Sequence, residues 1–139
     1  MRDGELGTYI LKHGGLVAAT VSGEYSGECV VCDFGAGALM EGTMFIDISA
    51  IEIADNDELY KISLQGSSKS NFSDTYEDLA ILEVGANEVL GGDQDSETGR
   101  YKVPFRNERN GTIYRYGRVY TTVSGTVGTG VNFTCWLGI

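Results

Sequence analysis

Three cysteines and one histidine are the residues of this chain that could bind a transition metal. Cys29 and Cys32 have the two-residue spacing of many zinc ligands, and Cys135 and His13 would complete a set of four. The β-branched surroundings of the pair favour an extended strand, in which residues three apart point to opposite faces. A zinc-binding pair needs a tight turn instead. We therefore expect no metal ligands here, and we predict that Cys135 is a small residue of the core.

Catalytic arrangements find little support elsewhere in the sequence. His13 is the only histidine, so a nucleophile with a histidine base would depend on one weakly patterned segment. The acidic residues that could work in pairs fall in two polar turns, where solvated side chains are expected: Asp55, Asp57 and Glu58, and Asp93, Asp95 and Glu97. The glycine-rich run at 125–130 precedes a strand and not a helix, which is typical of a turn and not of a phosphate-binding loop. We expect no catalytic residue, no bound metal, no cofactor and no enzyme activity.

The charges of this chain are segregated along the sequence. Residues 100–139 hold six of the ten basic residues and one acidic residue, whereas residues 1–99 hold four basic and nineteen acidic residues. The net charge is −10, and a negative body repels phosphate at long range, so we expect no binding to nucleic acid or to a membrane. The basic part is expected to contact acidic groups on a partner or on a neighbouring copy.

The length and composition predict one all-β domain. The chain has 139 residues, 20 glycines, one proline and many β-branched and aromatic side chains, which favour strands joined by glycine turns. We predict an antiparallel β-sandwich or jelly roll of about eight strands over residues 28–139. Residues 1–27 are predicted to form an N-terminal arm or edge segment. They lack the long apolar stretch of a signal peptide, which predicts a soluble protein made in the cytoplasm.

Interruptions of the alternating pattern predict local features of the strands. Over residues 43–53 the apolar phase slips past Ala50, as a β-bulge would cause. Residues 78–90 fit either a helical turn or a strand, and Gly85 favours the strand.

A set of cations follows at residue 100. Apolar and basic residues alternate from 100 to 106, which places Arg100, Lys102 and Arg106 on the outward face of one strand. Pro104 has no amide hydrogen for a neighbouring strand, so this strand is expected at a sheet edge. With Arg109, these three cations are the candidate contacts to a partner or a neighbouring copy.

A tyrosine-rich strand follows the hairpin turn predicted at Asn110-Gly111. Over residues 112–124 the alternation places four side chains on one face: Tyr114, Tyr116, Arg118 and Tyr120. The opposite face is also apolar, so the strand lies between two layers or faces a partner. Tyr and Arg are enriched at interfaces, and we predict a surface for self-association here. Burial of the tyrosines inside the domain is the alternative.

Four segments carry a resemblance when they are taken in order: FIDISAIEIADNDELYKISLQGSS, LAILEVG, GRYKVPFRNERNGTIYRYGRVYTTVSGT and TGVNFTCWLGI. They resemble the cement or decoration proteins of tailed-bacteriophage capsids, which are small jelly-roll proteins. The resemblance extends over residues 29–139. It implies a structural virion protein that forms a homodimer or homotrimer. It also implies binding to the exterior of the shell, at junctions between major capsid protein subunits, without enzyme activity or cofactor.

A second function remains open at this point. Small β-sandwiches also serve as carbohydrate-binding or receptor-binding modules of phage tails, and the fold alone does not separate these uses. A sugar-binding module needs exposed aromatic rings as a stacking platform. Trp136 is the only tryptophan, and it is predicted to lie on the strand face opposite Cys135. Its position near the carboxyl terminus gives poor support for such a platform.

Overall fold

The computed structural model describes residues 8–12, 16–18, 21–22, 24–25, 28–73, 76–86 and 96–138. These ranges contain fourteen β-strands and no helix, so they offer no helical segment that could span a membrane. In chain order the strands are β1 (Thr8–Lys12), β2 (Leu16–Val17), β3 (Val21–Ser22), β4 (Glu24–Tyr25), β5 (Glu28–Cys29), β6 (Cys32–Asp33), β7 (Glu41–Ile51), β8 (Leu59–Ser67), β9 (Tyr76–Gly85), β10 (Gly99–Arg106), β11 (Glu108–Arg109), β12 (Thr112–Ile113), β13 (Tyr116–Ser124) and β14 (Val131–Gly138).

Two five-stranded antiparallel sheets pack face to face as a β-sandwich. Sheet A has the order β1-β14-β7-β10, with β2 also paired to β14, and sheet B has the order β3-β13-β8-β9, with β6 also paired to β13. The predicted all-β sandwich is confirmed, with ten strands in the two sheets where about eight were expected. The extra strands are short ones from the weakly patterned first third of the chain. In the described part of the predicted arm, β1, β2 and β3 pair with the two sheets.

Alternation along each long strand separates the core from the two outer faces. Inward-facing side chains of sheet A meet those of sheet B in one apolar cluster. The fully buried members include Met44, Ile46, Tyr60, Ile62, Leu64, Val119, Val131, Phe133, Cys135 and Leu137. This arrangement follows directly from the period of two along a strand, and it leaves the alternate residues of the same strands on the outside.

The slip in apolar phase near residue 50 corresponds to a β-bulge. Strands β7 and β14 pair Ala50 with Asn132 and Ile48 with Phe133, which leaves Ser49 as the extra residue. The bulge lies one residue before the predicted slip. Residues 78–85 of the segment that fits either a helical turn or a strand belong to β9, which ends at Gly85, so the preference for a strand is confirmed. Residues 87–90 of that segment lie outside the described residues.

Two predictions about the carboxyl-terminal half are also confirmed. Among the described strands, β10, which carries Pro104, is the last strand of sheet A and pairs only with β7. Asn110 and Gly111 both have positive φ, 52° and 86°, between β11 and β12. Such angles at both central residues are typical of the hairpin turn that Asn-Gly favours.

Candidate interaction surfaces

A pair of stacked aromatic rings lies on the outer face of sheet A. Trp136 of β14 and Phe45 of β7 are partners in the strand register, and their ring centroids are 5.4 Å apart with planes inclined by 12°. Both side chains are partly exposed. Gly138 lies beside Phe45, and a Cβ atom there would be 2.7 Å from Cε2 of the ring. A side chain at residue 138 would therefore collide with the Phe45 ring, and the glycine leaves room for that ring.

Two predicted contact residues lie against these rings. The Arg100 guanidinium is 5.0 Å from the centroid of Trp136, and the Lys102 ammonium is 6.0 Å from that of Phe45. Arg100 also donates two hydrogen bonds, of 2.7 and 3.0 Å, to the carboxylate of Asp47. These hydrogen bonds hold the pKa of Asp47 below its ordinary value. The five residues Phe45, Asp47, Arg100, Lys102 and Trp136 are called the Trp136 face below.

Arg106 lies on the same outward side of β10 but makes local ion pairs. Its Nε atom is 3.5 Å from a carboxylate oxygen of Glu41 and 3.7 Å from one of Glu108. Arg100 is paired with Asp47, so two of the three outward cations of β10 are already neutralised by neighbours. Within the described part of the chain, Lys102 has no carboxylate partner. The basic strand is therefore less positive than its sequence indicates.

Arg109 binds the main chain of β9 in sheet B. Its guanidinium donates to the main-chain oxygens of Asp78, at 3.0 and 3.3 Å, and of Leu79, at 2.9 Å. Leu79 is the extra residue of a bulge in β9, so these carbonyls lie where the register with β8 shifts. An open groove runs between this arginine and β10, and it is lined by Glu41, Gly42, Leu79, Pro104, Phe105, Arg106 and Arg109.

The outer face of sheet B carries a second cluster, centred on Arg118. Its guanidinium lies 4.3 Å from the ring centroid of Phe72, 5.0 Å from that of Tyr120 and 5.7 Å from that of Tyr76. Its Nε atom donates to Gln65 at 2.9 Å. Phe72 has a φ of 54°, an uncommon conformation for a bulky residue, and its ring is buried beneath the arginine. With Tyr116, the residues Phe72, Tyr76, Arg118 and Tyr120 are called the Arg118 face.

Tyr114 does not share this face with Tyr116, Arg118 and Tyr120. It is 7% exposed and belongs to the core cluster, where its Cβ lies close to Gly66. The predicted continuous strand is interrupted between β12 and β13, at residues 114 and 115. This interruption changes the phase, so the tyrosine before it points inward and those after it point outward. The prediction that Tyr114 shares one face with Tyr116, Arg118 and Tyr120 is wrong for this reason.

The predictions for the cysteines and for the acidic turns have different outcomes. Cys32 and Cys135 are buried thiols, and burial raises the pKa of Cys32 to about 12 and raises that of Cys135 further. The side chain of Cys29 and all of His13 lie outside the described residues, as do Asp93 and Asp95. Glu58 was expected to be a solvated carboxylate. That expectation is wrong, because its side chain is fully buried. Glu97 is exposed, as a polar turn predicts.

The aromatic part of the Trp136 face was not among the candidate sites read from the sequence. The alternation correctly placed Trp136 opposite Cys135, but no local signal paired it with Phe45. A scan against known protein-family models finds no match, and a search of curated proteins finds no similar sequence.

Proposed function

We propose that this chain is a structural protein of a phage virion, which binds the outside of the assembled capsid and stabilises the shell. Its partners are the major capsid protein and further copies of itself, and it contributes no catalytic step. The observation that carries the proposal is the Trp136 face, where two stacked and partly exposed rings lie beside two exposed cations on the outer face of sheet A. Aromatic and arginine side chains supply most of the energy at protein interfaces.

The charges on this face decide what kind of contact it supports. Arg100 is paired with Asp47, so the attraction to an acidic partner comes mainly from Lys102, while the rings provide the apolar centre. Rim charges mainly affect association rate and salt dependence. The proposed contact is therefore an apolar one with a modest ionic contribution, weakened but not abolished by salt.

The carbohydrate-binding alternative is less well supported by the same rings. Sugars stack on an open aromatic face, but the Trp136 ring has Phe45 stacked on it and Arg100 over it. The ring faces on which a sugar would stack are thus covered by other groups of the protein. A protein surface can contact the edges of such a stack and the cations around it.

Co-sedimentation with bare capsids of the phage that encodes the chain tests this proposal. Trp136→Ala should weaken binding by about 2 kcal/mol per copy, on the order of thirtyfold. Ile81→Ala is the control, because Ile81 is 46% exposed on β9 of sheet B and belongs to neither the Trp136 face nor the Arg118 face. Decorated capsids should also resist heat better than bare ones, because the protein binds the assembled shell and not its unfolded subunits.

The charges are tested by two double variants with equal changes in net charge. Arg100→Glu with Lys102→Glu should reduce decoration strongly, whereas Lys61→Glu with Lys69→Glu should not. If the parent protein fails to sediment with capsids at low salt, or if the two double variants load equally, the proposed function is wrong. Specific signals on a glycan array would then favour the carbohydrate-binding alternative.

A further inference from the structure

The loop between β7 and β8, one of the connections between the two sheets, brings three carboxylates together. It runs from Glu52, directly after β7 of sheet A, to Glu58, directly before β8 of sheet B. One oxygen from each of Glu52, Asp55 and Glu58 lies within 4.8 Å of the others. Among the described residues, no lysine or arginine forms an ion pair with any of the three. The group therefore concentrates negative charge with no balancing cation from the part of the chain that the structure describes.

Glu58 is the member of this group that solvent cannot reach. Its side chain is 0% exposed, and its Oε2 atom accepts a hydrogen bond of 2.9 Å from the amide of Asp55. Its Oε1 atom is buried and accepts no hydrogen bond from any residue that the structure describes. A buried carboxylate oxygen without a partner is strongly unfavourable, and buried charges are normally paired or bound to a metal.

Glu52 is held in position by the neighbouring turn between β13 and β14. Its Oε1 atom accepts hydrogen bonds from the amides of Gly128, Thr129 and Gly130, at 2.7–2.9 Å, and from the Thr129 hydroxyl at 3.2 Å. Three amide donors favour the ionised carboxylate. Across the described ranges, no hydrogen bond reaches the second oxygen, Oε2, which leaves that atom available to a ligand. Asp57 is not a member of this group, and its carboxylate accepts hydrogen bonds from the amide and the hydroxyl of Thr126.

We propose that Glu52, Asp55 and Glu58 bind one calcium ion. All three ligands are carboxylates, the hard oxygen donors that Ca²⁺ and Mg²⁺ prefer, and none is the nitrogen or sulfur ligand typical of zinc. Calcium accepts six to eight oxygens in irregular geometry, whereas magnesium requires a near-ideal octahedron. Asp55 is exposed, so water completes the coordination from the solvent side.

A cation at this position would hold together two parts of the fold that lie outside the sheets, the loop 52–58 and the turn 125–130. The loop 52–58 connects sheet A with sheet B, and the Glu52 carboxylate accepts hydrogen bonds from the turn that precedes β14. Tyr60 at the start of β8 donates its hydroxyl to the main-chain oxygen of Glu52 at 2.8 Å. Calcium is therefore expected to stabilise the end of the sandwich where this loop and the 125–130 turn meet.

Calorimetric titration of the chelator-treated chain with Ca²⁺ tests the proposal directly. One ion should bind per chain, and millimolar Ca²⁺ should raise the melting temperature by several degrees, because it binds the folded state alone. Mg²⁺ at the same concentration should have a clearly smaller effect. Absence of binding heat and of a melting shift, or an equal response to Mg²⁺, would overturn the assignment.

Two substitutions locate the ion and one serves as a control. Glu58→Gln and Asp55→Asn should each weaken Ca²⁺ binding on the order of tenfold or more, since affinity depends on the number of charged ligands. Asp55 is exposed, so its variant tests the site even if the buried substitution prevents folding. Glu83→Gln, at an exposed position of β9, should bind Ca²⁺ like the parent. Parent-like binding by Asp55→Asn, or an equal loss in Glu83→Gln, would contradict the site.

Discussion

Cys135 lies between Phe133 and Leu137 on the inward face of β14, and all three side chains are fully buried. The alternating pattern of this strand was sufficient to predict that placement. The thiol acts as a small apolar residue, and burial keeps it protonated by raising its pKa. Thiol reagents should therefore modify Cys32 and Cys135 only after unfolding.

Replacing Cys135 by serine is expected to destabilise the protein by about 1–3 kcal/mol, because the hydroxyl loses water without a good partner in an apolar layer. Urea unfolding measures the change. Thr134→Ser, on the outward side of the same strand, is the matched control and should change stability by a few tenths of a kcal/mol. Equal effects of the two substitutions would show that position 135 is not part of the apolar core.

The ion pair between Arg100 and Asp47 predicts a pH effect with a definite sign. The hydrogen bonds from Arg100 lower the pKa of Asp47 from its ordinary value of 3.8, so the pair favours the folded state above that value. This contribution disappears as the pH falls through the lower pKa of the folded state. It is small because both side chains are substantially exposed.

An NMR titration of the Asp47 carboxyl group should therefore show a raised pKa in Arg100→Gln, close to the ordinary value. Arg106→Gln is the control, since Arg106 pairs with Glu41 and Glu108 and not with Asp47. An unchanged pKa of Asp47 in Arg100→Gln would contradict the bidentate contact.

At the scale of elements, Asn107 explains why the tyrosine-rich strand is interrupted. Its side-chain amide donates to the main-chain oxygens of Ala38 and Tyr114, at 2.8 and 2.9 Å, and its Oδ1 atom accepts from the amide of Met40 at 2.7 Å. Its own main chain bonds to Met40 and Tyr114 as well. The residue is fully buried and joins the segment before β7 to the β11–β12 hairpin.

Asn107→Ala should destabilise the fold by about 2–4 kcal/mol, because three main-chain groups lose their partners in partly or fully buried positions. Asn107→Asp should be no better, since a carboxylate cannot donate to the two carbonyls. Asn71→Ala is the control, because Asn71 is exposed and accepts one hydrogen bond, from Ser73. Unfolding in guanidinium compares the stabilities of the three variants. A smaller loss of stability in Asn107→Ala than in Asn71→Ala would contradict this role of Asn107.

Sequence patterns predicted the features of the fold that depend on residues close together in the sequence. Asn110-Gly111 has the φ angles that its turn requires, and the phase slip near Ala50 marks a bulge. The interruption at Tyr114 escaped prediction because it depends on contacts of Asn107 with Ala38 and Met40, far away in the sequence. Glu58 was missed for a similar reason, since a polar turn gives no sign that one of its side chains points inward.

At the scale of the whole molecule, the two candidate surfaces lie on opposite faces of the sandwich. The Trp136 face is the outer side of sheet A, and the Arg118 face is the outer side of sheet B. Alternation predicted that Trp136 lies opposite Cys135 and that Arg118 shares a face with Tyr116 and Tyr120, but only the strand register brings Phe45 beside Trp136. Opposite faces fit the proposed function, in which one side would contact the capsid and the other side another copy.

Self-association through the Arg118 face is the prediction that depends on the whole molecule. Tyr116 and Tyr120 are partly exposed on either side of Arg118, so their rings are available to a symmetry-related copy. Replacing both by alanine should shift the mass measured by light scattering toward the monomer, with a small change in stability. Tyr114→Ala is the contrasting variant, because its buried ring contributes to the core and its loss should cost about 3 kcal/mol. That variant should keep the oligomeric mass while it remains folded. A double variant that retains the parent mass would show that copies do not associate through this face, and a monomeric parent would show that they do not associate at all.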